Sequence, residues 1–174
     1  FSIQLSRVAQ GDVRVRYSVP VETLDKAGFR ADGALVLMLP GAYRSRAVST
    51  VIRIDPSAFG PDARAASSFG IGREIAIDAS GEALERATFL AGGLGHAVFD
   101  GPEGLDRAAW LGLTAFDPRQ VAAEVAGFRS GARDYFASRR QQPFMLLVHG
   151  DARLPGEFTA TRRTASVLVE VGAA

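Results

Sequence analysis

The chain of 174 residues is long enough for one domain or two small ones, and its 47% hydrophobic and 22% charged residues are typical of a folded globular protein. A net charge of +1 does not favour nucleic acid or an anionic membrane as a partner, and no apolar stretch reaches the roughly 20 residues of a membrane helix. Cysteine is absent, which excludes disulfide bonds, thiolate nucleophiles and thiolate metal ligands.

The first half of the chain predicts short antiparallel strands. Residues 2–20 alternate apolar and polar side chains around a Gly11-Asp12 turn, which is typical of a β-hairpin. The further predicted strands lie in segments 34–41, 47–56, 73–84 and 86–101, of which the last holds two around a glycine-rich bend. We expect the first two of these segments to be buried strands, because their apolar runs are continuous. Short strands at this spacing predict an antiparallel β-sandwich over residues 1–104.

A long helix is predicted after the strands. Asp117 is a typical N-cap, and Pro118 suits the first helical position. A core-facing stripe is predicted from apolar residues at steps of four and three, namely Val121, Val125, Phe128, Ala132 and Tyr135. Gly127 and Gly131 predict a face where another backbone comes close. The helix is expected to end near residue 139, where basic side chains suit the helix dipole.

Two apolar runs at 144–151 and 165–172 predict strands after the helix, with a polar, arginine-bearing loop between them. The order of elements predicts an α+β fold. An antiparallel β-sandwich (1–104) would be followed by a long helix and a strand pair (105–174).

Few residues suggest catalysis. His96 and His149 are the only histidines, and the sequence lacks the H-E-x-x-H pattern of zinc peptidases. Both histidines could still meet a carboxylate in space, but separate histidines are more often hydrogen-bonded polar residues without a metal. The glycine-rich segments 70–75 and 92–98 lack the third glycine and the helix of a dinucleotide loop. The motifs therefore predict no catalytic residue and no metal ligand.

The polar loop before residue 165 is the strongest candidate for binding. Arg162 and Arg163 with Glu157 could hold a carboxylate or phosphate through paired N–H donors. The alternative, which the residue types favour, is a connecting loop whose charges keep it in water.

The order of these segments is similar to that of the gluzincin aminopeptidases, particularly their glycyl-aminopeptidase-like branch. An early strand of that family resembles VRYSVPVETLD (15–25), and a helix ending in a Tyr-Phe pair resembles GARDYFASRRQQPF (131–144). The strand, glycine- and glutamate-bearing loop and strand that follow in the family resemble FMLLVHGD (144–151), LPGEFTATRRT (154–164) and ASVLVEVG (165–172).

The resemblance implies a region that precedes the zinc-binding helix, or a homologue that lacks it, and so no peptidase activity for this chain by itself. Zinc is the cofactor of the resembled family, and none is implied for these residues. Gly156 and Glu157 match the position of the family's substrate-binding loop, so the resemblance implies that Glu157 contacts a substrate amine. Arg162 and His149 are the further candidate binding residues.

Our leading interpretation is a non-catalytic fragment or truncated homologue of a zinc aminopeptidase, which scaffolds or forms part of a peptide cleft. Its partners would be a peptide or the remainder of a peptidase. The alternative is a self-sufficient binding module of the cell envelope, with a ligand or protein on its sheet. A third interpretation is an enzyme that uses His96 or His149 with nearby carboxylates.

The first residue is Phe1, which predicts that an upstream segment has been removed. We expect a bacterial protein of the periplasm or the exterior, with the cytoplasm as the alternative. Association of copies through the C-terminal strands is also expected if their edges are uncovered.

Overall fold

The computed structural model describes residues 14, 16–24, 27–39, 43–99, 106–113, 116–137 and 143–172. Its strands are β1 (Glu22–Leu24), β2 (Gly28–Asp32), β3 (Ala47–Arg53), β4 (Arg64–Ser67), β5 (Gly70–Ile71), β6 (Glu74–Ser80), β7 (Thr88–Gly92), β8 (Gly95–Phe99), β9 (Asp106–Leu111), β10 (Phe144–Asp151), β11 (Phe158–Arg163) and β12 (Ser166–Gly172). The helices are α1 (Gly33–Val36), α2 (Gly81–Glu85) and α3 (Pro118–Tyr135), with a 3-10 turn at Ser57–Phe59. The predicted α+β class is confirmed. None of the described helices is both long and apolar enough to cross a membrane.

The described strands form three sheets. The first sheet is antiparallel, in the order β1-β2-β7-β4-β5, and the second has the order β11-β12-β10-β9-β8. Strands β12, β10 and β9 of the second sheet are parallel, whereas its two outer strands run antiparallel to their neighbours. Strands β3 and β6 pair by themselves. Because parallel neighbours need a crossover, α3 connects β9 to β10.

The core lies on both faces of the second sheet. One face packs against the first sheet, through buried residues that include Leu90, Leu111, Leu147 and Leu168. The opposite face packs against α3, where Ala122 meets Leu146 and Val148. Strand β10 is therefore covered on both sides, which explains why its sequence is a continuous apolar run.

Several predicted strands are confirmed, but their surroundings differ from the expectation. The segments 47–56, 73–84 and 86–101 contain β3, β6, and the pair β7 and β8. Strand β3 was expected to be buried, yet its residues alternate between exposed and half-buried, because only β6 pairs with it in the described part. The prediction of burial was wrong for this strand.

The predicted buried strand at 34–41 is also wrong over its described residues. Residues up to Val36 form α1, residues 37–39 have no regular structure, and Leu35 is 70% exposed. The Tyr17 hydroxyl donates to the Val36 carbonyl at 2.6 Å and accepts from the Met38 amide at 2.9 Å. A short apolar run does not distinguish helix from strand by its periodicity, which is why the prediction failed.

Two further predictions fall largely on residues outside the described ranges. The hairpin at 2–20 is one, and its described residues 16–20 are not in a strand. The domain boundary between residues 104 and 105 is the other. Strand β8, on the N-terminal side of that boundary, pairs with β9 on its C-terminal side.

Helix α3 begins as predicted. The Asp117 side chain accepts a hydrogen bond from the Arg119 amide at 2.9 Å, and Pro118 occupies the first turn. Its buried face differs from the predicted stripe, since Phe128 is 78% exposed and Tyr135 is 83% exposed, whereas Ala122 is buried. The small side chain of Ala122 lets the helix lie close to the sheet. This close packing decides which face of α3 is buried, although the larger side chains of Phe128 and Tyr135 in the predicted stripe lie elsewhere.

The two helix glycines have no near neighbour. A Cβ added to Gly127 or Gly131 would meet no atom of the described residues within 4 Å outside its own helix backbone. The predicted close approach of another backbone is therefore wrong within the described part of the chain.

The C-terminal region contains one more strand than predicted. The two predicted strands are β10 and β12, which pair in parallel from Met145↔Ser166 to Asp151↔Gly172. The polar segment between them was expected to be a loop, but residues Phe158–Arg163 form β11. The sequence signal was weak because β11 is polar and largely exposed.

Candidate functional site

Strand β11 is the outermost strand of the second sheet and is largely exposed. It pairs with β12 from Phe158↔Val171 to Arg163↔Ser166, and no described strand pairs with its other edge. Phe158 is 74% exposed, and Arg162 is exposed near the far end. An unpaired edge offers backbone N–H and C=O groups to another extended chain.

A tight turn places Glu157 at the start of β11. The Leu154 carbonyl accepts from the Glu157 amide at 3.1 Å, and Gly156 has φ +70 between them. Proline at the second position and a glycine with positive φ at the third are the features of a type II turn. The Glu157 carbonyl then accepts from the Gly172 amide at 2.8 Å, while its side chain stays exposed. Gly156 thus has a conformational role, and Glu157 presents the carboxylate.

The connection from β10 to this turn is held by Asp151. Oδ1 of Asp151 accepts from the Arg153 amide and from Arg153 Nε, both at 2.9 Å, and Oδ2 accepts from Arg153 Nη2 at 2.7 Å. The side-chain hydrogen bonds from Arg153 hold the pKa of Asp151 well below its ordinary value. The Asp151 carbonyl also accepts from the Leu154 amide, so the loop that carries Glu157 is anchored on both sides.

His149, Asp151 and Glu170 form a group whose possible ligand atoms lie within 4.8 Å of one another. Their chemistry would suit a divalent metal ion, but each carboxylate already faces a guanidinium. Asp151 is bound by Arg153, and Glu170 lies 3.3 Å from Arg30. A divalent metal ion would compete with both arginines for these carboxylates and would add two positive charges. The group therefore fits an ion-pair network better than the zinc site of the resembled family.

Four residues join the two large sheets, and we call them the inter-sheet network: Arg30, Asp32, Arg163 and Glu170. The Asp32 carboxylate of β2 accepts from Arg163 Nη2 of β11 at 2.9 Å and lies 3.2 Å from Arg30 Nη1. Its other oxygen accepts from the Thr88 hydroxyl at 3.0 Å. These contacts tie the edge strand β11 to the first sheet and so fix its position.

The four predicted binding residues do not form one cluster. Gly156 and Glu157 lie at the start of β11, and Arg162 lies near its other end. His149 is buried in β10, with β12 between it and β11. Sequence reasoning missed the exposed Phe158 and the role of Arg163, whose partner Asp32 is 131 residues away along the chain.

Comparison with known proteins supports the fold and leaves the family open. The sequence matches no protein-family model and no curated protein. A solved structure does match: the aminopeptidase N family protein from Idiomarina loihiensis, with a TM-score of 0.66 over 86% of this chain. The chain shares its fold with part of that protein. The sequence identity is 15%, and the match spans 26% of the length of that protein's chain.

Proposed function

We propose that this chain forms one wall of a peptide-binding cleft in an aminopeptidase-like protein, without a catalytic residue of its own. The observation that carries the proposal is the exposed edge of β11, with Glu157 before it and Arg162 near its end. An extended peptide can add to such an edge as a further strand through main-chain hydrogen bonds. The fold shared with part of an aminopeptidase N family protein supports this role. Hydrolysis by the zinc mechanism of the resembled family would need the H-E-x-x-H motif, which this sequence lacks.

The charges at the two ends of β11 favour one direction for the peptide. Glu157 and Arg162 are five residues apart, or roughly 17 Å along an extended chain. A short peptide parallel to β11 would bring its free amine to Glu157 and its carboxylate to Arg162. The antiparallel direction would place like charges together. The arrangement therefore favours a peptide of about five residues with both termini free.

Peptide capping tests this assignment. We expect an apolar pentapeptide to bind more weakly to the wild-type chain after N-acetylation or after C-amidation. Each exposed ion pair contributes at most about 1 kcal/mol, so each loss should be up to about fivefold in Kd by calorimetry. Acetylation should have no effect on Glu157→Gln, and amidation should have none on Arg162→Gln.

A matched control is Glu124→Gln, which removes an exposed carboxylate from α3. This variant should respond to both caps as the wild type does. The proposal is wrong if the pentapeptide does not bind, or if acetylation weakens binding to Glu157→Gln as much as to the wild type.

A second candidate function is a binding module that pairs with a protein through the same edge. Phe158 favours this candidate, because a large apolar side chain lies exposed on an uncovered strand. The partner would be a second copy of the chain. Light scattering should then show a dimer that Phe158→Lys abolishes, whereas the peptide-cleft proposal predicts a monomer for both proteins.

A further inference from the structure

A cavity lined by two arginines lies beside the first sheet and β8, which is the outer strand of the second sheet opposite β11. The cavity, of about 360 Å³, opens between the start of β4, the turn from β5 to β6, and the start of β8. We call it the arginine pocket, and it is lined by residues 61–65, 71–73 and His96. Its volume lies at the lower end of the range for small-molecule sites.

The two arginines of this pocket come from different strands and turns, and contacts hold both in place. Arg64 Nη1 lies 2.6 Å from Nδ1 of His96. Arg73 Nη2 donates to the Ala63 carbonyl at 3.0 Å. Because a guanidinium can only donate, the Arg64 Nη1 group donates to the His96 ring, with Nε2 of the same ring at 3.3 Å. Neither contact compensates the positive charge of the arginine that makes it.

The two arginines of the pocket form no ion pair within the described residues. Asp62 is the carboxylate among the lining residues, and no described ion pair involves Arg64 or Arg73. Asp55 lies nearby, and its pKa is lowered mainly by the hydrogen bond from the Ser57 backbone and least by Arg73. The lining residues therefore include two guanidinium groups and one carboxylate, and Asp55 outside the lining partly offsets the charge of Arg73.

We propose that the arginine pocket binds a small oxyanion, the phosphate or carboxylate group of a metabolite. Two guanidinium groups with several N–H donors can hold such a group through charge-assisted hydrogen bonds. The site is independent of the peptide edge, so the proposal does not depend on the function proposed above.

Titration of the full chain with inorganic phosphate and with acetate tests the site, with chloride at equal ionic strength as the reference. We expect one of the two oxyanions to cause saturable NMR shifts in the amides of residues 61–65 and 71–73 and in the His96 ring. Arg64→Gln should weaken that binding about tenfold or more, because it removes a charge-assisted donor pair. The stronger of the two oxyanions assigns the ligand class.

The control is Arg119→Gln, which removes an exposed arginine of α3 and should leave the affinity unchanged. Because Arg64 is exposed, Arg64→Gln should leave the fold intact. The NMR shifts of the wild-type chain also test the site without any variant. The proposal is overturned if neither oxyanion saturates beyond the effect of chloride. Equal weakening by Arg64→Gln and Arg119→Gln, or shifts that lie outside the pocket, would overturn it as well.

Discussion

Asp32 is the carboxylate on which the inter-sheet network depends, and Asp32→Asn is the most informative change for the fold. The substitution keeps the size of the side chain and an acceptor for Thr88. It removes the negative charge and places an N–H₂ group against Arg163, whose Nη2 lies 2.9 Å from the carboxylate. Arg30, at 3.2 Å, loses the same counter-charge.

The magnitude follows from burial. The side chains of Asp32 and Arg163 are 20% and 19% exposed, so Arg163 would remain largely desolvated and lose this counter-charge. Arg30 would keep Glu170, which lies 3.3 Å away. Breaking a buried ion pair costs about 3–5 kcal/mol, and we expect the lower end, about 3 kcal/mol, because some solvent reaches the network. Urea unfolding at neutral pH, followed by circular dichroism, measures this loss as a shift of the midpoint at constant slope.

Glu74→Gln is the matched control, because it breaks an ion pair that is shorter but exposed. Arg53 Nε lies 2.7 Å from Glu74, and the two side chains are 72% and 61% exposed. This variant should lose less than about 1 kcal/mol. Similar losses in the two variants would refute the reasoning that burial, and not distance, sets the contribution of these pairs. A double-mutant cycle that combines Asp32→Asn with Arg163→Gln should also give a coupling free energy of about 1–3 kcal/mol.

Three further predictions test the core, the glycines and the loop. Leu147→Ala should lower the unfolding free energy measured in urea by about 2–5 kcal/mol, because Leu147 is fully buried. Phe128→Ala should lower it by less than about 0.5 kcal/mol, because Phe128 is exposed. Equal losses in the two variants would contradict the orientation of α3. Gly127→Ala should raise the free energy of unfolding by about 1 kcal/mol through helix propensity, and so raise the thermal midpoint. Gly172→Ala should lower the free energy of unfolding by about 2 kcal/mol or more, because its Cβ would overlap a loop carbonyl. Because the pKa of Asp151 is lowered in the folded state, its ionised carboxylate stabilises the fold above about pH 4, and this stabilisation is lost as the pH falls through the folded pKa. The difference in unfolding free energy between the wild type and Asp151→Asn should therefore become smaller in acid. A difference that does not change with pH would contradict this.

Local chemistry explains what could be predicted from the sequence. The start of α3 depends on Asp117 and Pro118, whose preferences act within one turn of helix, and the helix begins where they indicate. The apolar run of β10 is typical of a strand that is buried on both faces, and it forms a strand as expected. The type II turn at Gly156 is likewise a property of neighbouring residues.

Contacts between distant residues decided the rest. The buried face of α3 depends on the close packing of Ala122 against the sheet. The spacing of apolar residues along the helix does not predict that contact. Strand β11 is polar, and it is a strand because β12 lies beside it. The sequence favours a solvated loop at Arg163, but in the fold its Nη2 lies 2.9 Å from the carboxylate of Asp32 in the first sheet.

The sequence by itself determined the α+β class and the start of the long helix. These features arise from cap and strand preferences that operate over a few residues, whereas Glu157 is a candidate because of the resemblance to a family loop. The tertiary structure alone decided that β11 is an outer strand among the described strands, that an ion-pair network joins it to the first sheet, and that Arg64, Arg73 and His96 line one cavity. Each of these depends on residues far apart in the chain, and their proximity is a consequence of packing.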